Sequence, residues 1–227
     1  MEAPHPSAAR ARVSHAAARA LLAVLYGPRA HGVDHVPRRG PVVLAANHTG
    51  YLDGAVVLGT SPRPSHFLVL DRSFTGVAGV LLHASAQIPI DQRRGDRRAL
   101  GQALAVLGRG GVVGIFPEGG RGRGEVESAG KGVAWLALRS GATVVPTACL
   151  GTRATGALAA SWPPLRTRIV VDFGPPVPLE LPDGLPGRAR LDTATERVRA
   201  ALAGHVRAAS ERHGIPLPAD VPPDLPD

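Results

Sequence analysis

Hydrophobic positions along this chain follow two periods, one typical of buried strands and one typical of amphipathic helices. Short apolar runs predict strands at 41–46, 66–70, 88–90, 111–116, 142–148 and 167–174. Between and after them, helical spacing predicts helices that begin near Leu52 and that cover 74–84, 96–108, 132–140 and 190–212. Strands and helices in alternation predict the α/β class, a single domain whose mostly parallel central sheet is flanked by helices.

The two ends of the chain have patterns of their own. Residues 8–26 predict a basic amphipathic helix, which either lies on an anionic membrane surface or packs on the domain. Its shared apolar face consists of Val13, Ala16, Ala17, Ala20, Leu21 and Val24. The last residues, 214–227, are too rich in proline to fold alone. We therefore divide the chain into an N-terminal helix at 1–28, a central domain at 29–213 and the Pro-rich tail.

Composition and charge narrow the classes of function. The 227 residues carry a formal net charge of +8, which favours anionic partners such as phosphorylated metabolites or acidic lipid surfaces. Aromatic residues make up only 4% of the chain and no stacking platform is visible, so we do not expect nucleic-acid binding. No apolar run approaches the roughly 20 residues that a transmembrane helix needs. The single cysteine, Cys149, lies in an apolar run and is expected to be a buried structural thiol.

Asparagine and lysine are nearly missing from the chain. The composition is rich in alanine, arginine, glycine and proline, and Asn47 and Lys131 are the sole asparagine and lysine. A coding bias that replaces these residue types elsewhere would keep them where their chemistry is needed. We therefore include both residues among the functional candidates.

The first polar cluster, "NHTGYLD", follows the predicted strand at 41–46 and contains His48 and Asp53. A histidine becomes a general base when one ring nitrogen faces the substrate and a carboxylate holds the other. Residues five apart do not meet on a regular helix, so a strand-to-helix turn at Gly50 must lie between them. Two other readings stay open, in which Asp53 caps a helix and His48 satisfies a backbone group.

Two further clusters follow the strands at 111–116 and 88–90. In "FPEGGRGRG", a glycine-rich loop offers Glu118, Arg121 and Arg123, and exposed amides with arginines suit a phosphate, although a solvated loop is the alternative. Lys131 starts the next predicted helix and adds positive charge there. In "IPIDQRRGD", Arg93 belongs to a basic loop that either closes over the same anion or is simply solvated. Nothing in the sequence demands a metal ion.

Taken in order, four blocks of the chain resemble the glycerophospholipid acyltransferase family, to which the 1-acylglycerol-3-phosphate acyltransferases belong. That family is marked by N-H-x-x-x-x-D, a block similar to I-P-V-D-R, then F-P-E-G-T-R, and then a V-P strand. This chain has "NHTGYLD", "IPIDQRRGD", "FPEGGRGRG" and "VVPTACLGT" in the same order. The resemblance covers roughly residues 33–180.

The resemblance implies transfer of a fatty acyl group from a thioester to a lipid hydroxyl. The donor would be acyl-CoA or acyl-ACP (acyl carrier protein), with no other cofactor, and the acceptor a lysophospholipid. His48 would take the proton of the acceptor hydroxyl, while Asp53 would orient the ring, so these two form the candidate catalytic pair. Arg121 would bind the glycerol phosphate. The candidate substrate-binding residues are Asn47, Glu118, Gly119, Arg121, Arg93 and Lys131.

Three positions depart from the family pattern and concern acceptor recognition. Gly50 stands where the family commonly has serine, Gly120 where it has threonine, and Gln92 in the usual arginine position, with Arg93 one residue later. The leading hypothesis is conversion of 1-acyl-glycerol-3-phosphate to phosphatidate. The alternatives are another lysolipid or alcohol acceptor, a thioesterase or esterase in which His48 activates water, and a noncatalytic basic module.

Positive charge and the lack of a membrane-spanning run also bear on location. We expect a cytoplasmic protein that attaches peripherally to the anionic lipid surface at the inner face of the cell membrane. The apolar segment 74–84 is expected to be a core helix, with lining of an acyl-chain groove or contact with the bilayer as the alternatives.

Overall fold

The computed structural model describes residues 6–92, 96–182 and 184–222. Within these ranges, seven strands form one sheet and six α-helices pack on it. The strands are β1 (Arg29–His31), β2 (Val42–Ala46), β3 (Ser65–Leu70), β4 (Ile88–Ile90), β5 (Val112–Ile115), β6 (Thr143–Leu150) and β7 (Val170–Phe173). The helices are α1 (Ala8–Leu25), α2 (Asp53–Thr60), α3 (Gly76–Ala84), α4 (Arg97–Gly108), α5 (Gly132–Ser140) and α6 (Gly187–His213). Two short 3₁₀ turns lie at Val33–His35 and Asp71–Ser73.

The strand order is β1-β7-β6-β2-β5-β3-β4. All neighbouring strands are parallel except β6 and β7, which are antiparallel. The prediction of a single α/β domain with a mostly parallel sheet is therefore confirmed. Strand β2 lies between β6 and β5, and Leu44 faces Val145 on one side and Gly114 on the other. The carboxyl ends of these three strands consequently approach one another.

Two hydrophobic layers enclose the sheet. Val43 and Ala45 of β2 point into a layer built with α4, α5 and α6. Leu44, between them, points into the opposite layer with α1 and α2. Because strands such as β2 are buried on both faces, their sequences read as unbroken apolar runs, which is why the sequence located them.

Helix α1 packs on the domain, but the side that is buried is not the predicted apolar face. Ala11 and Leu22 are buried, and Leu22 lies so close to α2 that a side chain on Gly59 would come within 2.9 Å of it. The predicted face points to solvent instead, with Val13 71% and Val24 69% exposed. The helix thus has an inward stripe that joins the core and an outward apolar face.

The expectation that 74–84 forms a core helix is wrong. Helix α3 buries only Gly79, whereas Val77, Val80 and Leu81 are all exposed. The segment has almost no polar positions, so its pattern cannot tell a helix packed on all sides from an apolar helix at the edge of the sheet. In the described ranges, no helix combines the length and the apolar character that crossing a bilayer requires.

The described part of the tail lies against the domain without forming a helix or strand. Ile215 is buried with the core layer of α6. Asp220 pairs with Arg153 at 3.1 Å and accepts a hydrogen bond from the amide of Gly156 at 3.0 Å. The tail is therefore ordered by contacts with the domain rather than by its own sequence.

Candidate active site

The polar clusters that follow β2 and β5 meet at the carboxyl ends of these strands. The main-chain amide of His48 donates a hydrogen bond to Glu118 Oε1 at 2.8 Å. The amide of Gly122 donates to the carbonyl oxygen of His48 at 2.9 Å. A side chain on Gly119 would come within 3.9 Å of the amide of Gln92, so the block after β4 is adjacent as well. Parallel strands bring these loops together, as expected for α/β sheets.

His48 and Asp53 form a direct hydrogen bond. His48 Nδ1 lies 2.8 Å from Asp53 Oδ2, and the carboxylate is fully buried while the imidazole is 16% exposed. The turn between them also uses Oδ2, which accepts from the amides of Thr49 at 2.7 Å and Gly50 at 2.9 Å. Asp53 therefore organises the turn that precedes α2 and holds the histidine ring at the same time.

The imidazole of His48 is fixed on one face by an aromatic ring. Phe116, the residue after β5, stacks on it with centroids 4.1 Å apart and planes 15° apart. A carboxylate on Nδ1 places the ring proton there and leaves the lone pair on Nε2. Among the described residues, no protein group hydrogen-bonds Nε2. The ring thus has one defined orientation and one nitrogen free to accept a proton.

The other oxygen of Asp53 faces β6. Thr152 Oγ1 donates a short hydrogen bond to Oδ1, and Cys149 Sγ donates to it at 3.6 Å. Burial, together with the nearby Asp53 charge, raises the pKa of the Cys149 thiol well above its ordinary value, so the sulfur keeps its proton. Sequence reasoning assigned no role to Thr152, which is the last residue of the block "VVPTACLGT".

Asn47 joins two strands. Its Nδ2 donates to the carbonyl of Cys149 at 3.2 Å, and its Oδ1 accepts from the amide of Cys149 at 2.7 Å. The side chain is fully buried and continues the β2–β6 ladder beyond the last paired residues, Ala46 and Thr147. Both ends of the amide are engaged within the protein, which places Asn47 behind the site.

The glycine-rich loop packs closely on the turn after β2. Gly124 has a positive φ of 75°, and a side chain there would lie 2.5 Å from Thr49 Cγ2 and 2.8 Å from Asn47 Nδ2. Only glycine meets both conditions. The loop is therefore a built part of the site and not a solvated connection.

Arg121 lies on this loop beside an aromatic ring. Its guanidinium carbon is 5.2 Å from the centroid of Tyr51, a residue of the turn that carries His48. A cation over an aromatic face is held in one orientation, and a planar guanidinium is suited to pairing with an anion. Tyr51 and Phe116 lie inside two of the four sequence blocks, but sequence reasoning assigned no role to either ring.

Lys131, another predicted substrate-binding residue, stands apart from this cluster. Arg93 lies outside the described residues. Lys131 precedes α5, and its ammonium pairs with Asp192 of α6. Its neighbour Gly130 donates to the carbonyl of Pro117 at 2.7 Å, so the lysine lies at the same edge of the sheet but is engaged by α6.

Glu118 is a buried carboxyl with an altered proton affinity. Desolvation raises the pKa of Glu118 from its ordinary 4.5 to about 7, although the main-chain hydrogen bonds from His48 and Val126 act in the opposite direction. An acid whose pKa is higher in the folded state stabilises the fold below its unfolded pKa, and this stabilisation is lost as pH rises through the folded pKa.

We expect Glu118→Gln to remove this part of the pH dependence of stability. As pH rises from about 4.5 to about 8, the wild-type protein should lose up to about 3 kcal/mol of unfolding free energy relative to the Gln variant. The measurement is urea unfolding of both proteins at several pH values. The amide still accepts from His48, and all other titrating groups cancel in the comparison. Parallel pH profiles for the two proteins would contradict the assignment.

The fold and this site define an α/β enzyme domain with a histidine–aspartate pair at the carboxyl ends of parallel strands. The chain belongs to the acyltransferase family, whose family model, described as Acyltransferase, matches residues 27–150. The family expected from the four sequence blocks is thereby confirmed.

Two curated relatives carry the name 1-acyl-sn-glycerol-3-phosphate acyltransferase. The protein from Borreliella burgdorferi is 28% identical over 127 residues, which are 53% of this chain and 50% of that protein. The protein from Bacillus subtilis is 25% identical over 137 residues, 60% of this chain and 68% of that protein. The match thus spans half the length of the first relative.

A solved structure has the same fold. The crystal structure of the 1-acyl-sn-glycerophosphate acyltransferase PlsC from Thermotoga maritima superposes with a TM-score of 0.64 at 20% sequence identity. The match covers 87% of this chain and 80% of that chain. This likeness supports the α/β architecture independently of the sequence blocks.

Proposed function

We propose that this protein transfers a fatty acyl group from acyl-CoA or acyl-ACP to the free hydroxyl of a lysophospholipid. The proposed acceptor is 1-acyl-glycerol-3-phosphate and the product is phosphatidate. The observation that carries the proposal is the 2.8 Å bond from His48 Nδ1 to Asp53, which leaves Nε2 available beside the loop of Arg121. The names of the two curated relatives favour the same acceptor.

The reaction follows from the orientation of the ring. His48 Nε2 accepts the proton of the acceptor hydroxyl as the oxygen attacks the thioester carbonyl carbon, forming the new C–O bond. Collapse of the tetrahedral intermediate breaks the C–S bond, and the imidazolium returns the proton to the leaving thiolate. Asp53 stabilises the imidazolium between these steps. The acyl group need not be attached to the protein.

The acceptor's phosphate is assigned to Arg121. Its guanidinium is oriented by Tyr51, which lies in the same turn as His48. A planar guanidinium pairs with phosphate through two parallel hydrogen bonds, so this arrangement fixes both the charge and the direction of the headgroup. Glu118 and Asn47 would act from behind, by holding the main chain of His48 and of β6. Arg93 stays a candidate for the same anion.

The proposal is tested by incubating the purified protein with palmitoyl-CoA and lysophosphatidate, and in parallel with palmitoyl-ACP. Equal amounts of free thiol and phosphatidate would support it. Thiol without phosphatidate would contradict it and would point to hydrolysis, or to another acceptor that a panel of lysolipids would identify. No thiol from either donor would reject acyl transfer altogether.

Arg121→Ala should raise the KM of the phosphorylated acceptor by about 10- to 100-fold, since a hydrogen bond to a charged group contributes about 1.5–3 kcal/mol. The KM of the thioester should stay nearly constant. Arg123→Ala is the matched control, because this arginine of the same loop is paired with Glu125 at 3.3 Å and with Glu127 at 2.5 Å. A rise in the thioester's KM alone would show that the phosphate assignment is wrong.

Three neighbouring segments carry exposed apolar side chains, which are together called the apolar face. Ser14 of α1 donates to the carbonyl of Ser85 at the end of α3, at 3.5 Å. The amide of Arg166 donates to the carbonyl of Leu25 at the other end of α1, at 3.0 Å. The apolar face consists of Val13, Leu21, Val24, Val77, Val80, Leu81, Leu158, Trp162 and Leu165, all of them exposed.

We infer that the apolar face docks on an anionic bilayer at the inner face of the cell membrane. Residues 8–26 contain three exposed arginines and no acidic residue, and residues 154–169 contain two exposed arginines, Arg166 and Arg168, and no acidic residue. An apolar surface bordered by arginines suits acidic lipids. The rings of Trp162 and Tyr51 are 5.9 Å apart, so the surface reaches the turn of His48, where a membrane-bound acceptor would enter.

Leu21→Ser combined with Val24→Ser should weaken binding to phosphatidylglycerol vesicles by about 10-fold or more, because each buried aliphatic side chain contributes about 1.5–3 kcal/mol. Both side chains point away from the core, so thermal unfolding should change little. Val221→Ser is the matched control, an exposed valine on the tail. Cosedimentation measures the effect, and equal vesicle binding by all three proteins would refute the docking surface.

A further inference from the structure

The buried carboxylate of Asp53 is held from two sides, and the far side carries an inference that rests on the proposed function. On the near side, Oδ2 accepts from His48 and from the amides of Thr49 and Gly50. On the far side, Oδ1 accepts from the hydroxyl of Thr152, 99 positions along the chain. We propose that Thr152 is a positioning residue, whose hydroxyl holds Oδ1 so that Oδ2 stays aimed at His48 Nδ1.

The number of hydroxyl protons decides which atom donates and which accepts in each of these hydrogen bonds. Thr152 has one hydroxyl proton, and an ionised carboxylate only accepts, so the proton of Thr152 points at Asp53. Thr49 Oγ1 lies 3.1 Å from Thr152 Oγ1 and must therefore donate to it. Both threonines are buried, with 2% and 1% of their surface exposed. The two hydroxyls form a fixed relay from Thr49 through Thr152 to Asp53.

The relay requires that residue 50 has no side chain. A Cβ on Gly50 would lie 2.8 Å from the carbonyl oxygen of Thr152 and 3.0 Å from its Oγ1. Such distances are too short for carbon, so any side chain would push Thr152 away from Asp53. Position 50 is also one of the departures from the family pattern, where serine is common. Thr152, which follows β6, thus places its hydroxyl against the space that a side chain at position 50 would fill.

Thr152 acts through Asp53 and not on the substrate. Its buried side chain lies on the side of the carboxylate opposite to His48, so removal of the hydroxyl would leave Oδ1 with only the weak thiol donor of Cys149. A carboxylate freed on one side rotates, and the imidazole loses its fixed direction. The expected effect is on the rate of proton transfer and not on substrate affinity.

Two variants of Thr152 separate the hydroxyl from the shape of the side chain. Thr152→Val keeps the shape and removes the hydroxyl, and kcat should fall about 10- to 100-fold with the KM of both substrates within about two-fold. Thr152→Ser keeps the hydroxyl and should retain most of the rate. A Val variant as active as wild type, or a Ser variant that loses as much as the Val variant, would overturn the proposal.

Proton NMR tests the same claim without any substrate. The Nδ1 proton of His48, held by a carboxylate, should give a low-field resonance in the wild type and in Thr152→Ser. In Thr152→Val this resonance should move upfield or be lost by exchange, while thermal unfolding confirms that the variant is folded. An unchanged resonance would overturn the proposal. Because no substrate is involved, this result is independent of whether lysophosphatidate is the acceptor.

A double-mutant cycle tests the coupling to Gly50. Gly50→Ala should lower kcat by displacing Thr152, and the double variant Gly50→Ala/Thr152→Val should lose little more than the worse single variant, because both act on one contact. Losses that multiply in the double variant would show that the two positions act independently. That outcome would leave no reason to assign Gly50 to the relay.

Discussion

Replacing His48 by alanine should lower kcat for acyl transfer by about 100- to 10,000-fold, the range that loss of a general base costs. The imidazole is fixed by Asp53 at 2.8 Å and by Phe116 at 4.1 Å, so the native ring loses little entropy when it meets the hydroxyl. Alanine removes the ring nitrogen that is placed to accept the proton. Initial rates of thiol release and phosphatidate formation measure the loss.

The controls for this variant address folding and specificity. Thermal unfolding of His48→Ala should remain close to wild type, because the main-chain bond from residue 48 to Glu118 survives the substitution. His31→Ala, on the edge strand β1, should keep full activity. Wild-type turnover by His48→Ala would refute the general base.

Replacing Asp53 by asparagine should also lower kcat, by about 1,000- to 10,000-fold, as for the corresponding change in serine-protease triads. The native carboxylate accepts five hydrogen bonds, three on Oδ2 and two on Oδ1. An asparagine has one acceptor oxygen, so its NH₂ group must face donors on one side. If the NH₂ group takes the place of Oδ2, His48 is forced into the wrong tautomer and the amides of the turn lose their acceptor. If it takes the place of Oδ1, the relay loses its acceptor.

The thermal stability of Asp53→Asn must be measured together with its kinetics. The side chain is fully buried, so the variant should also unfold at a lower temperature. The kinetic claim is therefore tested at a temperature where circular dichroism shows the variant to be folded. A folded variant with more than about a tenth of the wild-type kcat would contradict the role of Asp53 in orienting the ring.

The sequence located most elements because their burial leaves a pattern. Strand β2 is apolar at every position because both faces are covered, and the helix predicted at 96–108 is observed as Arg97–Gly108. Strand β1 escaped prediction because its three residues are exposed and carry no apolar signal. The burial of α3 was predicted wrongly because a uniformly apolar segment gives no information about which side is covered.

The site was predictable where its parts are close in sequence. His48 and Asp53 are five residues apart, so chemistry and turn geometry allowed the pair, and the resemblance to the family favoured it over the two other readings. Thr152 lies 99 residues from Asp53, and its hydroxyl gains a partner only because β6 lies beside β2. Local sequence patterns contain no information on strand order, so they could not predict this contact. Lys131 was noticed for its rarity, yet its observed partner is Asp192 of α6.

One side of helix α1 packs on the domain, and the other side carries the residues that are proposed to contact the bilayer. Leu22 and Tyr26 stay in the core whether or not Val13 and Val24 are covered by lipid. Departure from a membrane would then break no internal contact, and no refolding step would limit exchange between vesicles. The protein should therefore move between membranes at a rate set by lipid charge and ionic strength, and a single molecule could serve many patches of bilayer in turn.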